Sequence, residues 1–231
     1  MLKTIGEIAL LREAARITDA VFMDVYENAL REGMTELELG AAFSDSFAKH
    51  GVGRFMGDPM VCMGPGSAEP HHVPGGYALK PGDTICTDTG KRINGYYSDV
   101  TRTVFFRSAN DRQRRVYDTV LEANLTAIDA AKPGRTIREV HLAACRVIEK
   151  AGYGEYYPHK TSHGVGIDYH EEPFDVDGRE LVLEPGMCFS IEPGIYLPGE
   201  FGVRIEDVVV MTETGVEVLN QAPKELRIVN Q

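Results

Sequence analysis

The feature that most constrains this chain is that it repeats itself. Adding 101 to Gly33, Thr35, Glu38, Gly51 and Gly53 gives Gly134, Thr136, Glu139, Gly152 and Gly154. Further on, Leu79-Lys80-Pro81-Gly82 matches Leu183-Glu184-Pro185-Gly186 at an offset of 104, which carries Asp88 onto Glu192 and Gly90 onto Gly194. Each half thus carries a glycine stop and then a Thr-x-x-Glu capping box, whose hydroxyl and carboxylate satisfy free N–H groups at a helix start. An L-x-P-G turn and an apolar strand ending in an acid follow. A short turn recurs by chance. Helix punctuation, turn and acid recurring in one order point instead to internal duplication.

The pattern predicts a helix from about Ile5 to Glu32, with apolar positions at Ile8, Leu11, Ala15, Phe22, Val25 and Ala29. A second helix runs from Thr35 to Gly51, and a Gly- and Pro-containing loop spans Gly57 to Gly76. Strands over Thr84–Asp88 and Tyr96–Phe106 close the first unit. The second unit repeats the order, with helices from about Arg112 to Ala131 and from Thr136 to Gly152. The expected architecture is α+β: two helix–helix–β-hairpin units about a pseudo-twofold, covering about 5–106 and 110–220. They share one curved antiparallel sheet with helices outside. No stretch between the halves is a flexible linker, so residues 1–231 read as a single domain.

Duplication brings acids together. Asp88 and Glu192 end apolar strands, and their partner strands carry Asp99 and Glu206, 107 residues apart. Ionised carboxylates in apolar surroundings are costly unless paired or coordinated. Arg102 and Arg204 are the obvious structural partners, but two arginines do not neutralise four acids, whereas two divalent cations do. Carboxylate-rich sites with one imidazole suit Mn, Co, Fe or Zn. The imidazole should come from His159, His163 or His170, which fall within twelve residues beside glycines, and spacing alone does not single one out.

The formal charge of −11 argues against a nucleic-acid or acidic-membrane partner. Cys62, Cys86, Cys145 and Cys188 show no C-x-x-C spacing and read as buried small hydrophobes in a reducing compartment. No signal peptide or membrane-spanning run is present, so cytoplasmic placement is the expectation.

Five motifs together resemble the pita-bread metallopeptidases of family M24, the group of methionine aminopeptidase, aminopeptidase P and prolidase. They are Thr87-Asp88-Thr89-Gly90, Gly95 to Thr103, His163-Gly-Val-Gly with His170-Glu-Glu-Pro, Ile191-Glu192-Pro193-Gly194-Ile195-Tyr196, and Gly202 to Asp207. The resemblance spans about Thr4 to Val229. It implies two cations, manganese first with cobalt, zinc or iron as alternatives, held by Asp88, Asp99, His163, Glu192 and Glu206, with Asp99 and Glu206 bridging. It further implies that Glu192 relays the proton and that a hydroxide bridging the cations attacks the carbonyl carbon. His170 would steady the oxyanion, His71 would contact the substrate, and His159 and Arg204 would line the substrate pocket. Thr101 and Arg102 would support Asp99.

The phrasing Asp99-Val-Thr-Arg-Thr, Glu192-Pro-Gly-Ile-Tyr and Arg204-Ile-Glu206-Asp207 resembles the proline-specific branch. The expected partner is therefore a small peptide with proline after its first residue, and a homodimer is compatible with the family. Three departures stand out. The N-terminal domain usual in prolidase-like relatives is absent, and Phe174 follows Glu172-Pro173 where some dipeptidases carry an arginine. Ser162 replaces a residue that is often glycine. The alternatives are a methionine aminopeptidase-like enzyme, a metal-free creatinase-like hydrolase, or a non-catalytic peptide-binding module. The last two are disfavoured because no expected ligand is lost.

Overall fold

The computed structural model describes residues 1–53, 59–174 and 180–229. Helix α1 (Ile5–Asn28) and helix α2 (Glu36–Lys49) begin at Thr4 and Thr35, each of which closes a reciprocal capping box. Strands β1 (Met60–Met63), β2 (Thr84–Thr89), β3 (Arg92–Ile93), β4 (Tyr96–Tyr97) and β5 (Val100–Phe106) follow. The second unit opens with α3 (Asp111–Ala130) and α4 (Ile137–Lys150), the latter capped by Thr136 and Glu139. Strands β6 (His163–Gly164), β7 (Glu171–Phe174), β8 (Cys188–Ile191), β9 (Gly194–Leu197), β10 (Phe201–Arg204), β11 (Asp207–Met211), β12 (Val216–Val218) and β13 (Ile228–Val229) complete the chain.

The sequence offsets reappear as backbone hydrogen bonds. Gly33 N–H donates to Leu79 and Leu79 N–H to Met34; in the second unit Gly134 donates to Leu183 and Leu183 to Arg135. Gly33, Gly134, Gly82 and Gly186 all have φ between 78° and 91°, the left-handed region where a Cβ is unfavourable. The same turns therefore tie helix pair to strand in both halves.

The single sheet expected from the repeat is divided. One sheet has the order β1-β2-β5-β13 and another the order β12-β11-β8-β6-β7, with β9–β10 and β3–β4 as separate hairpins. Pro193 explains part of the division: it cannot donate to a ladder, so β8 stops at Ile191 and β9 starts afresh at Gly194. The amides at this break and at the turn between β10 and β11 bond elsewhere. Glu192 N–H donates to Thr161 (2.8 Å) and Glu206 N–H to Thr101 (3.1 Å).

Two further expectations need correction. The loop expected over Gly57–Gly76, part of which lies outside the described residues, contains β1 and a short 3₁₀ turn over Gly64–Ala68. The strand expected over Tyr96–Phe106 breaks at Ser98-Asp99, where the Ser98 amide leaves the ladder to bond Lys91.

Each half has its own apolar core. Phe22, Phe43, Phe47, Val61 and Val104 pack between α1, α2 and the first sheet, and Val116, Val120, Ile148, Phe189 and Val209 do so in the second half. Helix α1 serves both, because Leu11 and Ala15 on another face meet Val165, Cys188, Val208 and Val210. Cys62, Cys86 and Cys188 are buried as expected, but Cys145 is only half-buried, its sulfur 3.4 Å from His141 Nε2 one helical turn earlier. Among the described residues no helix is long and apolar enough to cross a membrane.

Candidate metal centre

A cavity of about 320 Å³ opens where the two halves meet, and all nine side chains predicted as site residues line it: His71, Asp88, Asp99, His159, His163, His170, Glu192, Arg204 and Glu206. Asp88 comes from β2, Asp99 from the break before β5, Glu192 from the break after β8, and Glu206 from the turn between β10 and β11. The strand interruptions are what allow these acids to point at one place instead of alternating across a sheet.

Ligand atoms of Asp99, His163 and Glu206 lie within 4.8 Å of one another, and all three residues are buried. His163 Nδ1–H donates to the Gly164 carbonyl (3.1 Å), which fixes the tautomer and leaves a lone pair on Nε2. That nitrogen faces Asp99 Oδ2 at 3.4 Å and Glu192 Oε1 at 3.6 Å. Burial, and then the neighbouring His170, lower the His163 pKa to about 4, so the ring is uncharged at neutral pH and its Nε2 carries no proton. Asp99 Oδ2 is buried with no hydrogen-bond partner. Electron pairs converge here with nothing between them, and only a cation or bound protons compensate that.

The acids report the same stress. Burial raises the pKa of Asp99, and the charges of Glu206, Asp88 and Glu192 raise it further. Burial likewise raises Glu192, with Glu206 next in effect, and lifts Glu206 to about 8. The residues present therefore fit a pair of divalent ions: four hard carboxylates and one imidazole converge, with an orphaned oxygen among them.

The supporting contacts differ in part from expectation. Thr101 Oγ1–H donates to Glu206 Oε2 (2.7 Å) instead of supporting Asp99. Arg102 pairs with the fully buried Asp207 (2.8 Å) and donates to the carbonyls of Thr101, Glu206 and Ala222, so it braces the backbone around Glu206. Arg204 does meet an acid of the cluster: its Nη2 donates to Asp88 Oδ2 at 2.7 Å. Its Nη1 donates to the Tyr196 hydroxyl (3.0 Å), and Tyr196 in turn donates to His159 Nε2 (2.8 Å), since His159 Nδ1–H is given to the Lys160 carbonyl. Burial, followed by the charge of Arg204, lowers His159 to about 4.

Two participants were not foreseen. Glu36 is buried and its carboxylate accepts from Met63 N–H, Gly75 N–H and His72, which pins the loop that presents His71 at the cavity rim. Only its place in the first turn of α2 was visible in sequence. Tyr169 donates its hydroxyl proton to Asp99 Oδ1 at 2.9 Å and lies 3.5 Å from Asp88 Oδ1. The available signal was an aromatic residue directly before His170.

Fold and site together define a scaffold of the pita-bread type with a candidate metal site. The model of metallopeptidase family M24 matches residues 9–213, and the chain belongs to that family. A putative dipeptidase, YkvY, of Bacillus subtilis is 43% identical over 228 residues, covering 99% of this chain and 62% of the relative. An Xaa-Pro dipeptidase of Lactobacillus delbrueckii subsp. lactis is 40% identical, again covering 99% of this chain and 62% of the relative. Among solved structures, an Xaa-Pro dipeptidase from Bacillus anthracis superposes with a TM-score of 0.94 at 40% identity, covering 98% of this chain and 64% of that one. The chain thus spans just under two thirds of the length of these relatives.

Proposed function

We propose that this chain carries the catalytic centre of a dinuclear metallo-exopeptidase that hydrolyses the bond after an N-terminal residue, preferentially in Xaa-Pro peptides. The observation that carries this reading is the unprotonated His163 Nε2 facing the partnerless Asp99 Oδ2 inside a ring of carboxylates. The relatives named Xaa-Pro dipeptidase support the substrate class.

Asp88, Asp99, His163, Glu192 and Glu206 would hold the two ions, with manganese as the proposed native metal. Such ions supply a nucleophilic water near neutral pH and a Lewis acid for the carbonyl oxygen. The protein's own part is positioning and proton movement. Glu192, half-buried and held above the ordinary carboxylate range, takes a proton and returns it to the leaving nitrogen. His170 lines the cavity beside His163, with ring centroids 3.9 Å apart, where an imidazole reaches a developing oxyanion. His71 and His159 stand on the walls where the two sides of a short peptide would lie. Arg204 and Tyr196 keep His159 fixed and neutral.

Metal analysis together with assays on Xaa-Pro dipeptides, longer Xaa-Pro peptides and Met-Ala peptides tests the reading. Glu192→Gln is expected to abolish turnover with the fold kept. Undiminished hydrolysis by that variant would sink the assignment of Glu192. Preferential cleavage after methionine in Met-Ala peptides would replace the proline-specific reading.

A further inference from the structure

The metal half formed by Asp88 and Asp99 has a tenant on its edge that none of the five ligands accounts for. Tyr169 sends its hydroxyl into the cavity, 2.9 Å from Asp99 Oδ1 and 3.5 Å from Asp88 Oδ1. Asp99 Oδ2 points the other way, toward His163. The two oxygens of one carboxylate are thereby distinguished: one is held by a phenol donor, the other is open.

The ring that delivers this hydroxyl is fixed on three sides. It stacks on His170 with centroids 4.9 Å apart and planes 18° apart, and it meets Tyr97 edge-on at 5.6 Å. Its third support is Gly90, where a Cβ would come within 2.4 Å of Tyr169 Cε2 and 2.3 Å of the Ser98 carbonyl oxygen. Gly90 follows Asp88 by two residues, so the missing side chain at the end of β2 is the seat of the ring. Tyr97 N–H donates to the Gly166 carbonyl (2.8 Å), which ties the segment carrying Tyr169 to the hairpin that leads into Asp99.

A carboxylate offers about four lone-pair directions, so a hydrogen bond on Oδ1 leaves room for metal on the same oxygen while removing rotation about the side chain. We propose that Tyr169 is a positioning residue of the metal centre, its hydroxyl holding Asp99 Oδ1 so that Oδ2 stays turned toward His163, ready to take a cation. The inference rests on the dinuclear reading above and adds a residue to it. Removing a partner of this kind commonly costs about 10- to 100-fold in metal affinity.

The test is Mn²⁺ binding by the full chain after chelator treatment, followed by calorimetry and by electron paramagnetic resonance. The resonance spectrum separates single Mn²⁺ from coupled pairs. Tyr169→Phe keeps the contacts with Gly90, Tyr97 and His170 and deletes only the hydroxyl. It is expected to weaken formation of the coupled pair by about 10- to 100-fold, and added Mn²⁺ should restore turnover on an Xaa-Pro peptide to within about threefold. A purely packing role would not be rescued by metal.

A second measurement uses the unaltered chain, which has ten tyrosines and no tryptophan. Tyrosine difference absorption should change as the pair forms, because the charge on the acceptor of a buried phenol is being taken up. Pair formation within about twofold of the unaltered protein in Tyr169→Phe, or no tyrosine signal on loading, overturns the role of Tyr169 alone. If the unaltered chain takes up no Mn²⁺ pair, the dinuclear reading falls and this inference falls with it.

Discussion

Glu206→Gln should make the metal-free protein more stable, by an amount that grows with pH. The folded chain holds the Glu206 carboxyl at about 8 against an ordinary 4.5, because burial and the charge of Asp88 disfavour its ionised form. A group raised on folding stabilises fully below its unfolded value, and that stability is lost as pH rises through the folded value. Glutamine never ionises and loses nothing. The gap between variant and parent should therefore be near zero below about pH 4.5. At about 1.4 kcal/mol for each tenfold change in proton activity, it should open to about 2 kcal/mol at pH 6 and about 4 kcal/mol at pH 8.

Thr101 can still donate to the amide oxygen of a glutamine, so the local hydrogen bond is kept. Urea unfolding in the presence of a chelator, run from pH 5 to pH 8, measures the gap. Mn²⁺ should then reverse the ranking at pH 6 and narrow the gap at pH 8, since a ligand at about 100 times its Kd adds about 2.7 kcal/mol to the parent. A gap that ignores pH, or a variant less stable than the parent throughout, would refute the view that the acids are a burden relieved by cations.

Other outcomes follow from single contacts. Arg102→Met strips Asp207 of its guanidinium and takes the Arg102 donors from the buried Glu206 and Ala222 carbonyls, and urea unfolding should register a loss of about 3–5 kcal/mol. His159→Phe removes the acceptor of the Tyr196 hydroxyl. KM for an Xaa-Pro dipeptide should rise about fivefold with kcat little changed, as expected for about 1 kcal/mol. That ratio should be the same at pH 6 and pH 8, because the imidazole is held at about 4 and stays neutral across the range. Thr35→Ala and Thr136→Ala should each cost about 1 kcal/mol, and a large inequality in chemical denaturation would contradict equivalent capping boxes in the two halves.

What sequence made legible was whatever depends on local chemistry. Capping boxes at Thr35 and Thr136 and positive-φ glycines at 33 and 134 are written in a few adjacent residues, and the helices start and stop within a few residues of expectation. The acids were legible because the matching offsets put them at corresponding strand ends. Partners fixed by the tertiary fold were not. Whether Arg102 meets Asp99 or Asp207 depends on how the two halves lean together, which no periodicity encodes. Glu36 reads as an ordinary first-turn acid until the loop carrying His71 folds over it. Tyr169 lies in a segment without regular structure, so nothing in its spacing says that its ring turns toward Asp99.

Strand β13 runs parallel to β5 and contributes to the sheet of the first half, pairing Ile228 with Phe105. The Ala222 carbonyl, a few residues earlier, accepts from Arg102 on that same strand. During synthesis β5 thus waits for its last neighbour until roughly the whole second unit has left the ribosome, at rates near 5–20 residues per second. The duplicated halves look like two self-sufficient pieces, yet a fragment ending after α3 would expose an unpaired edge of Val104, Phe105 and Phe106. Such a fragment should aggregate when made alone and be rescued by supplying the second half in trans. If the halves descend from one repeat, the segment around Ile228 that follows the second half would be what holds the first half's sheet to it.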